Sequence, residues 1–152
     1  MNTTIEEQTI DATAAQLVEY FLFLNDTENR YQYLIELGKE LPKGDDNLCR
    51  DVNKVEGCVA TVWLESHIDN DSEDEPRLCF KGYSNAFIVR GLIAIALRLY
   101  SGRKAEEILS FDASSLFMRL SLDEHLTAQR SNGFHSMLQR IRVDALAAKN
   151  KI

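Results

Sequence analysis

Apolar residues recur at helical spacing through the first forty positions. Leu17, Val18, Phe21 and Leu24 follow a capping region at Asp11/Thr13 and predict a first helix. Tyr31, Leu34, Ile35 and Leu41 predict a second, beginning near Asp26 or Thr27 and stopping at Pro42, which cannot donate the next helical hydrogen bond. The pattern then changes. Residues 43–56 are polar and acidic and read as a long loop, after which Val59 to Ile68 form a β-branched run that predicts a strand. A second short strand, Leu78–Gly82, is joined to it by residues 69–76, whose first seven positions hold five acids and suit a solvated hairpin tip. Ser84 or Asn85 is placed to cap a helix that runs from Ala86 to Leu99, apolar almost all round and so expected in the core. Gly102 ends it. Short helices around Ala105–Leu109 and Ser115–Leu120 precede a last helix starting near Thr127, with Phe134, Met137, Leu138, Ile141 and Ala145 as its inner face. The expected fold is α+β: a small antiparallel β-sheet packed against N- and C-terminal helices and one buried central helix.

Length and composition set the scale of this fold. A chain of 152 residues, 45% hydrophobic and 27% charged, suits one globular domain spanning 1–152. The net charge of −7 argues against nucleic acid as a partner. That charge is unevenly spread, with 18 acids and 5 bases in residues 1–76 against 6 and 12 in residues 77–152. The halves are expected to pair with each other, and a charged docking face is the sharper alternative. The C-terminal bases Arg130, Arg140, Arg142, Lys149 and Lys151 lack the aromatic interleaving of a nucleic-acid surface. The start, Met1 to Glu7, has no secretory pattern, and the longest apolar stretch is shorter than the ~20 residues that cross a bilayer. Three unpaired cysteines (Cys49, Cys58 and Cys79) fit a reducing, cytoplasmic setting. No membrane association is expected, and the oligomeric state reads as a monomer or weak homodimer.

Chemistry concentrates at Cys58. It stands where a polar loop gives way to the first strand, preceded by Gly57, which gives the backbone freedom. A thiol acts as thiolate and needs access, which a loop provides; the neighbouring Glu56 would hold its pKa up. The plain reading is a small buried hydrophobe, and it applies more strongly to Cys79 within a strand. Cys49 reads as an exposed loop thiol. Zinc ligands usually come in pairs two to four residues apart, whereas the cysteine gaps here are nine and twenty-one, so no metal is expected. A cysteine–histidine hydrolase is poorly supported: His67 lies ~30 Å along an extended chain from Cys58, and nothing in the sequence brings His125 or His135 close. No glycine-rich phosphate loop is present.

Several segments together resemble the SufE-like sulfur-acceptor family, which works with pyridoxal-phosphate cysteine desulfurases in iron–sulfur cluster assembly. They run from about Asn29 to Ala147: Arg30-Tyr31, Leu34-Ile35-Glu36-Leu37-Gly38-Lys39, Leu41-Pro42, Val55, Gly57-Cys58, Val62-Trp63, Gly82, Ser84, Ala86, Ile88-Val89-Arg90-Gly91-Leu92, Tyr100, Leu120, Leu126, Arg130-Ser131-Asn132-Gly133 and Met137. Their order and spacing carry the resemblance.

The resemblance implies a sulfur carrier with Cys58 as acceptor, supported by Gly57 and by Arg130, which matches the family's arginine before the last helix. Cys58 would take sulfur from the desulfurase as a transient persulfide, stimulate that enzyme, and pass the sulfur to an iron–sulfur scaffold protein. The chain would need no cofactor of its own, since pyridoxal phosphate belongs to the partner. It would not be an enzyme alone. The chain departs from the family at Val59 and Ala60, where many relatives carry polar residues. It departs again at Tyr83 and Asn85, where relatives often read Gly-Asp-Ser-Asp-Ala. Two readings compete: a non-catalytic docking or regulatory module of a desulfurase, and an iron–sulfur scaffold using all three cysteines.

Overall fold

The structure, a computed structural model, describes residues 9–24, 26–58, 60–69, 76–121 and 126–150. Among the described residues six α-helices surround a three-stranded antiparallel sheet, an α+β fold. Helix α1 (Ile10–Phe23) begins earlier than expected because Thr9, not Asp11 or Thr13, caps it by accepting the Ala12 amide at 3.1 Å. Helix α2 (Thr27–Lys39) starts as expected, with the Asp26 carboxylate accepting the Asn29 amide at 2.8 Å. Its end comes before Pro42.

Strands β1 (Val62–Asp69) and β2 (Arg77–Ser84) pair antiparallel, with Val62 opposite Ser84 and Asp69 opposite Arg77. The start of β1 lies three residues beyond the expected Val59, so Ala60 and Thr61 belong to the loop before it. Most of the acidic connector falls outside the described residues. Alternation sends Val62, Leu64 and Ser66 to the inner face and Trp63, Glu65 and His67 to the outer one. Opposite charges meet across the outer face: Glu65 pairs with Lys81 and Asp69 with Arg77.

Helix α3 (Phe87–Tyr100) is the buried spine, with Ile93, Ile95 and Ala96 fully out of solvent. Neither Ser84 nor Asn85 caps it: the cap position falls to Ala86, and Ser84 instead accepts the Ala86 amide at 3.2 Å. Gly102, at φ +82°, follows its end as expected. Helix α2 crosses α3 at Gly38 and Gly91. A Cβ on Gly38 would lie 2.7 Å from the Arg90 Cβ, and one on Gly91 would collide with the Leu34 carbonyl. The two backbones are therefore closer than side chains allow.

A third strand, β3 (Arg103–Lys104), adds two residues to the edge of β2, with Arg77 opposite Lys104. No pattern two residues long separates a strand from a turn, and the sequence did not show it. Helices α4 (Ala105–Ser110) and α5 (Ala113–Arg119) lead to α6 (Ala128–Asn150). Phe134, Met137, Leu138, Ile141 and Ala145 of α6 are all buried, as the 3.6-residue period requires. One continuous apolar cluster joins α1, α3, α5, α6 and the inner sheet face.

Candidate functional site

Cys58 sits on a loop whose two ends are fixed. The Val55 amide donates to the Val62 carbonyl at 2.9 Å, Lys54 bridges to Trp63, and both valines are buried. Ser84, with no solvent exposure, donates its hydroxyl to the Thr61 carbonyl at 2.7 Å. This side chain ties β2 and the entry to α3 to the far end of the loop. Between these anchors the tip carries Glu56 and Gly57 into solvent. Gly57 adopts φ +89°, a left-handed conformation that strains any residue with a side chain. A Cβ there would also meet the Ser136 hydroxyl of α6 at 2.6 Å.

The Cys58 side chain turns inward from this tip. Its S–H donates to the Gly133 carbonyl of α6 at 3.5 Å. Gly133 lacks the Cβ that would stand 3.5 Å from the sulfur, so the thiol lies against bare helix backbone. Beside it opens a cavity of about 320 Å³, lined by Ala60 and Val62 from the loop end and β1, Ala86, Val89 and Leu92 from the α3 side, and Phe134 and Met137 from α6. Thr127, Gln129 and Arg130 form its polar edge at the start of α6.

Burial pushes the Cys58 thiol above its ordinary pKa. The sequence pointed to Glu56 for this effect, but that side chain is exposed and desolvation is the cause. The bond to the Gly133 carbonyl acts the same way, since an acceptor oxygen favours S–H over S⁻. Held here, the sulfur is a protonated thiol beside an apolar hollow: sheltered, and a poor nucleophile until it leaves or is met by a cation.

Arg130 does not precede the last helix; it lies in its first turn, where its amide donates to the Thr127 hydroxyl at 3.2 Å. Its guanidinium is exposed at the cavity edge and pairs with no carboxylate among the described residues. Gly57, Cys58 and Arg130 are thus brought to one place. Cys49 is not the exposed loop thiol expected: it is half-buried, packed so that a Cβ on Gly44 would meet its sulfur at 2.8 Å. The pKa of Cys49 is also raised, by burial and then by Asp45 and Asp46. Cys79 lies in β2 opposite His67 on the outer face. Neither His67 nor His135 lines the cavity, and His125 lies outside the described residues, as does Val59. Among the described residues no cluster of three or more histidine, cysteine or acidic side chains could hold a metal. The sequence did not reveal the contributions of Ala86, Val89, Gly133 and Phe134, because each approaches Cys58 only through tertiary packing.

The chain that builds this site has relatives among known proteins. The family model described as "SufE: Fe-S metabolism associated domain" matches residues 15–145. The chain belongs to the SufE family. Family membership ties the chain to iron–sulfur metabolism. An uncharacterized SufE-like protein of Rhizobium meliloti is 48% identical over 130 residues, covering 86% of this chain and 92% of its own. Another from Rhizobium etli is 47% identical over 139 residues, covering 91% and 93%. The fold also matches the solution structure of a hypothetical protein from Thermus thermophilus, with a TM-score of 0.71 at 19% identity over 91% of this chain and 96% of that one. Within this SufE-family fold, Tyr83 and Asn85 border the helix whose first turn lines the cavity. Tyr83 is half-buried under the Arg90 guanidinium, whereas Asn85 is exposed.

Proposed function

We propose that this protein is a sulfur acceptor and carrier for a pyridoxal-phosphate cysteine desulfurase, with Cys58 as the residue that holds the sulfur. The observation that supports this most is the placement of the Cys58 thiol at the tip of a loop with fixed ends, beside an apolar cavity far larger than one sulfur atom. Cys58 loses its proton and attacks the terminal sulfur of the desulfurase persulfide. A new S–S bond forms at Cys58, the old one breaks, and the desulfurase cysteine leaves as thiolate. The exchange transfers one sulfur atom with no external oxidant. Relief of the desulfurase accounts for its stimulation, and the carried sulfur then passes by the same exchange to a scaffold that builds iron–sulfur clusters.

Two demands act on Cys58, and its setting meets each at a different time. A persulfide must be kept from water and stray thiols, which the hollow lined by Val62, Leu92, Phe134 and Met137 does. The attacking thiol must ionise, which the same hollow opposes. Docking separates the two: the tip at Gly57 and Cys58 swings out, the sulfur leaves the Gly133 carbonyl, and the partner supplies the environment for the thiolate. Arg130, at the cavity edge, is placed to stabilise the anion on its way out. The chain brings no cofactor to this chemistry; the partner's pyridoxal phosphate releases the sulfur from free cysteine.

Intact-protein mass spectrometry after incubation with a cysteine desulfurase, pyridoxal phosphate and cysteine tests the reading. The expected result is a gain of ~32 Da, reversed by reductant and absent in Cys58→Ser. Binding without any gain, together with undiminished stimulation of the desulfurase by Cys58→Ser, would mark a docking module that carries no sulfur.

A further inference from the structure

Six of the seven glycines are held to that residue type by geometry. At Gly38, Gly44, Gly57, Gly82 and Gly91 a Cβ would come within 3.0 Å of a neighbouring atom, and Gly102 adopts φ +82°. Gly133 is the exception. It lies inside α6 with no left-handed φ, and the three atoms nearest to a Cβ there all belong to Cys58, at 3.5, 3.7 and 3.7 Å. These are ordinary contact distances, so an alanine methyl fits. Glycine inside a helix also costs stability relative to alanine, because its backbone has more freedom to lose on folding. The fold therefore does not call for glycine at this position, and the space it leaves open faces the sulfur.

We propose that Gly133 is a positioning residue for the carried sulfur, its missing side chain being the berth for the outer sulfur of a Cys58 persulfide. This role rests on the carrier reading of Cys58 and adds to it the residue that makes room for the cargo. The Cys58 S–H donates to the Gly133 carbonyl at 3.5 Å, so the one substituent on Sγ already points at this turn of α6. In a persulfide the outer sulfur replaces that hydrogen, about 2 Å from Sγ. Aimed straight at the oxygen it would stand only ~1.5 Å away. It must lie to one side, and the bare Gly133 Cα leaves a side clear. Gly133 also lines the cavity of about 320 Å³, so this gap continues into the hollow. An alanine methyl would meet the thiol at an ordinary distance and fill the room a second sulfur needs. The outer sulfur would then be pushed off the helix into the cavity, where thiols from solvent reach it.

A chemically made persulfide tests this role apart from sulfur delivery. The thiols are first converted to mixed disulfides with an aromatic disulfide, and sulfide then attacks the Cys58 sulfur. A new S–S bond forms, the old one breaks, and the aryl thiolate leaves. Peptide mass spectrometry follows the ~32 Da on Cys58 while a small thiol is present to strip it. Gly133→Ala is expected to lose this sulfur about tenfold faster than the wild type, because exchange rates follow access. Its melting temperature should hold or rise, and alkylation of its unloaded Cys58 should keep the wild-type rate. Asn132→Ala, at the exposed neighbour, also raises helix propensity but leaves the Cys58 berth alone, and should retain the sulfur like the wild type. Equal persulfide lifetimes in Gly133→Ala and the wild type overturn the proposal. So does a lower melting temperature in Gly133→Ala, which would make Gly133 a packing glycine. A matching acceleration of thiol alkylation, or the same loss of sulfur in Asn132→Ala, overturns it equally. Incubation with a cysteine desulfurase scores the carrier reading separately. Sulfur gain from the enzyme with equal lifetimes keeps the carrier and removes the berth. A lifetime difference in the chemically made persulfide, with no gain from the enzyme, does the reverse.

Discussion

Cys58 carries a pH signature that separates it from a free thiol. Its folded pKa is raised by burial, so the native protein keeps the proton through the range near 8.5 where an unfolded thiol gives it up. The stability linked to Cys58 is therefore intact below that range and declines as pH rises through the folded value. Cys58→Ser should make this alkaline decline shallower without abolishing it, because Cys49 is raised as well. Alkylation by iodoacetamide, followed site by site by mass spectrometry, should show Cys58 reacting slowly at neutral pH with a midpoint above the ordinary thiol range. A rate equal to that of a small-molecule thiol at pH 7 would refute the sheltered position. What the sequence disclosed of Cys58 was its place between a polar loop and a β-branched run, together with the freedom Gly57 gives. It did not disclose the Gly133 carbonyl, 75 residues away, because no local pattern records which helix a loop will lean on.

Between elements, the decisive contact is Ser84, where β2, the start of α3 and the end of the Cys58 loop meet. Its hydroxyl donates to Thr61 and accepts from Ala86 while wholly buried. Ser84→Ala leaves one carbonyl and one amide without partners, which costs about 1–3 kcal/mol. Chemical denaturation should show a loss of that size, and hydrogen exchange should show the Val55 amide opening more readily than amides in α3. Equal exchange change in both places would mean that Ser84 serves the core in general, not the loop. Long elements were legible from periodicity: α2, α3 and α6 lie where the 3.6-residue spacing put them. Boundaries were less so. Thr9 took the cap from Asp11 and Thr13, Ala86 took it from Ser84 and Asn85, and β1 began late because residues after Cys58 serve the loop. Thr9 wins its cap by a local bond to Ala12, whereas Ser84 gives up the cap position while its hydroxyl bonds across the fold to Thr61.

At the scale of the molecule, the uneven charge of the two halves is met within the fold. Glu65 and Asp69 of the acidic half stand opposite Lys81 and Arg77 of the basic one, and Arg98 reaches Glu40 at 2.6 Å. The sequence showed the imbalance, and the antiparallel register shows how part of it is matched. The three cysteines have different surroundings: Cys79 lies on the outer strand face, Cys49 against Gly44, and Cys58 against α6. Anaerobic reconstitution with iron and sulfide should thus leave the protein colourless, and a stable visible chromophore with bound iron would reverse that expectation. Among the described residues no helix is long and apolar enough to cross a membrane. The fixed ends of the Cys58 loop also set a distance. The sulfur-bearing residue stands three positions beyond the anchored Val55, which at about 3.4 Å per residue is a leash of roughly 10 Å. Cys58 can leave its berth but cannot travel far, so a donor whose sulfur lies deeper than that must bring it to the surface. Range, as much as reactivity, then decides which donors this protein can serve.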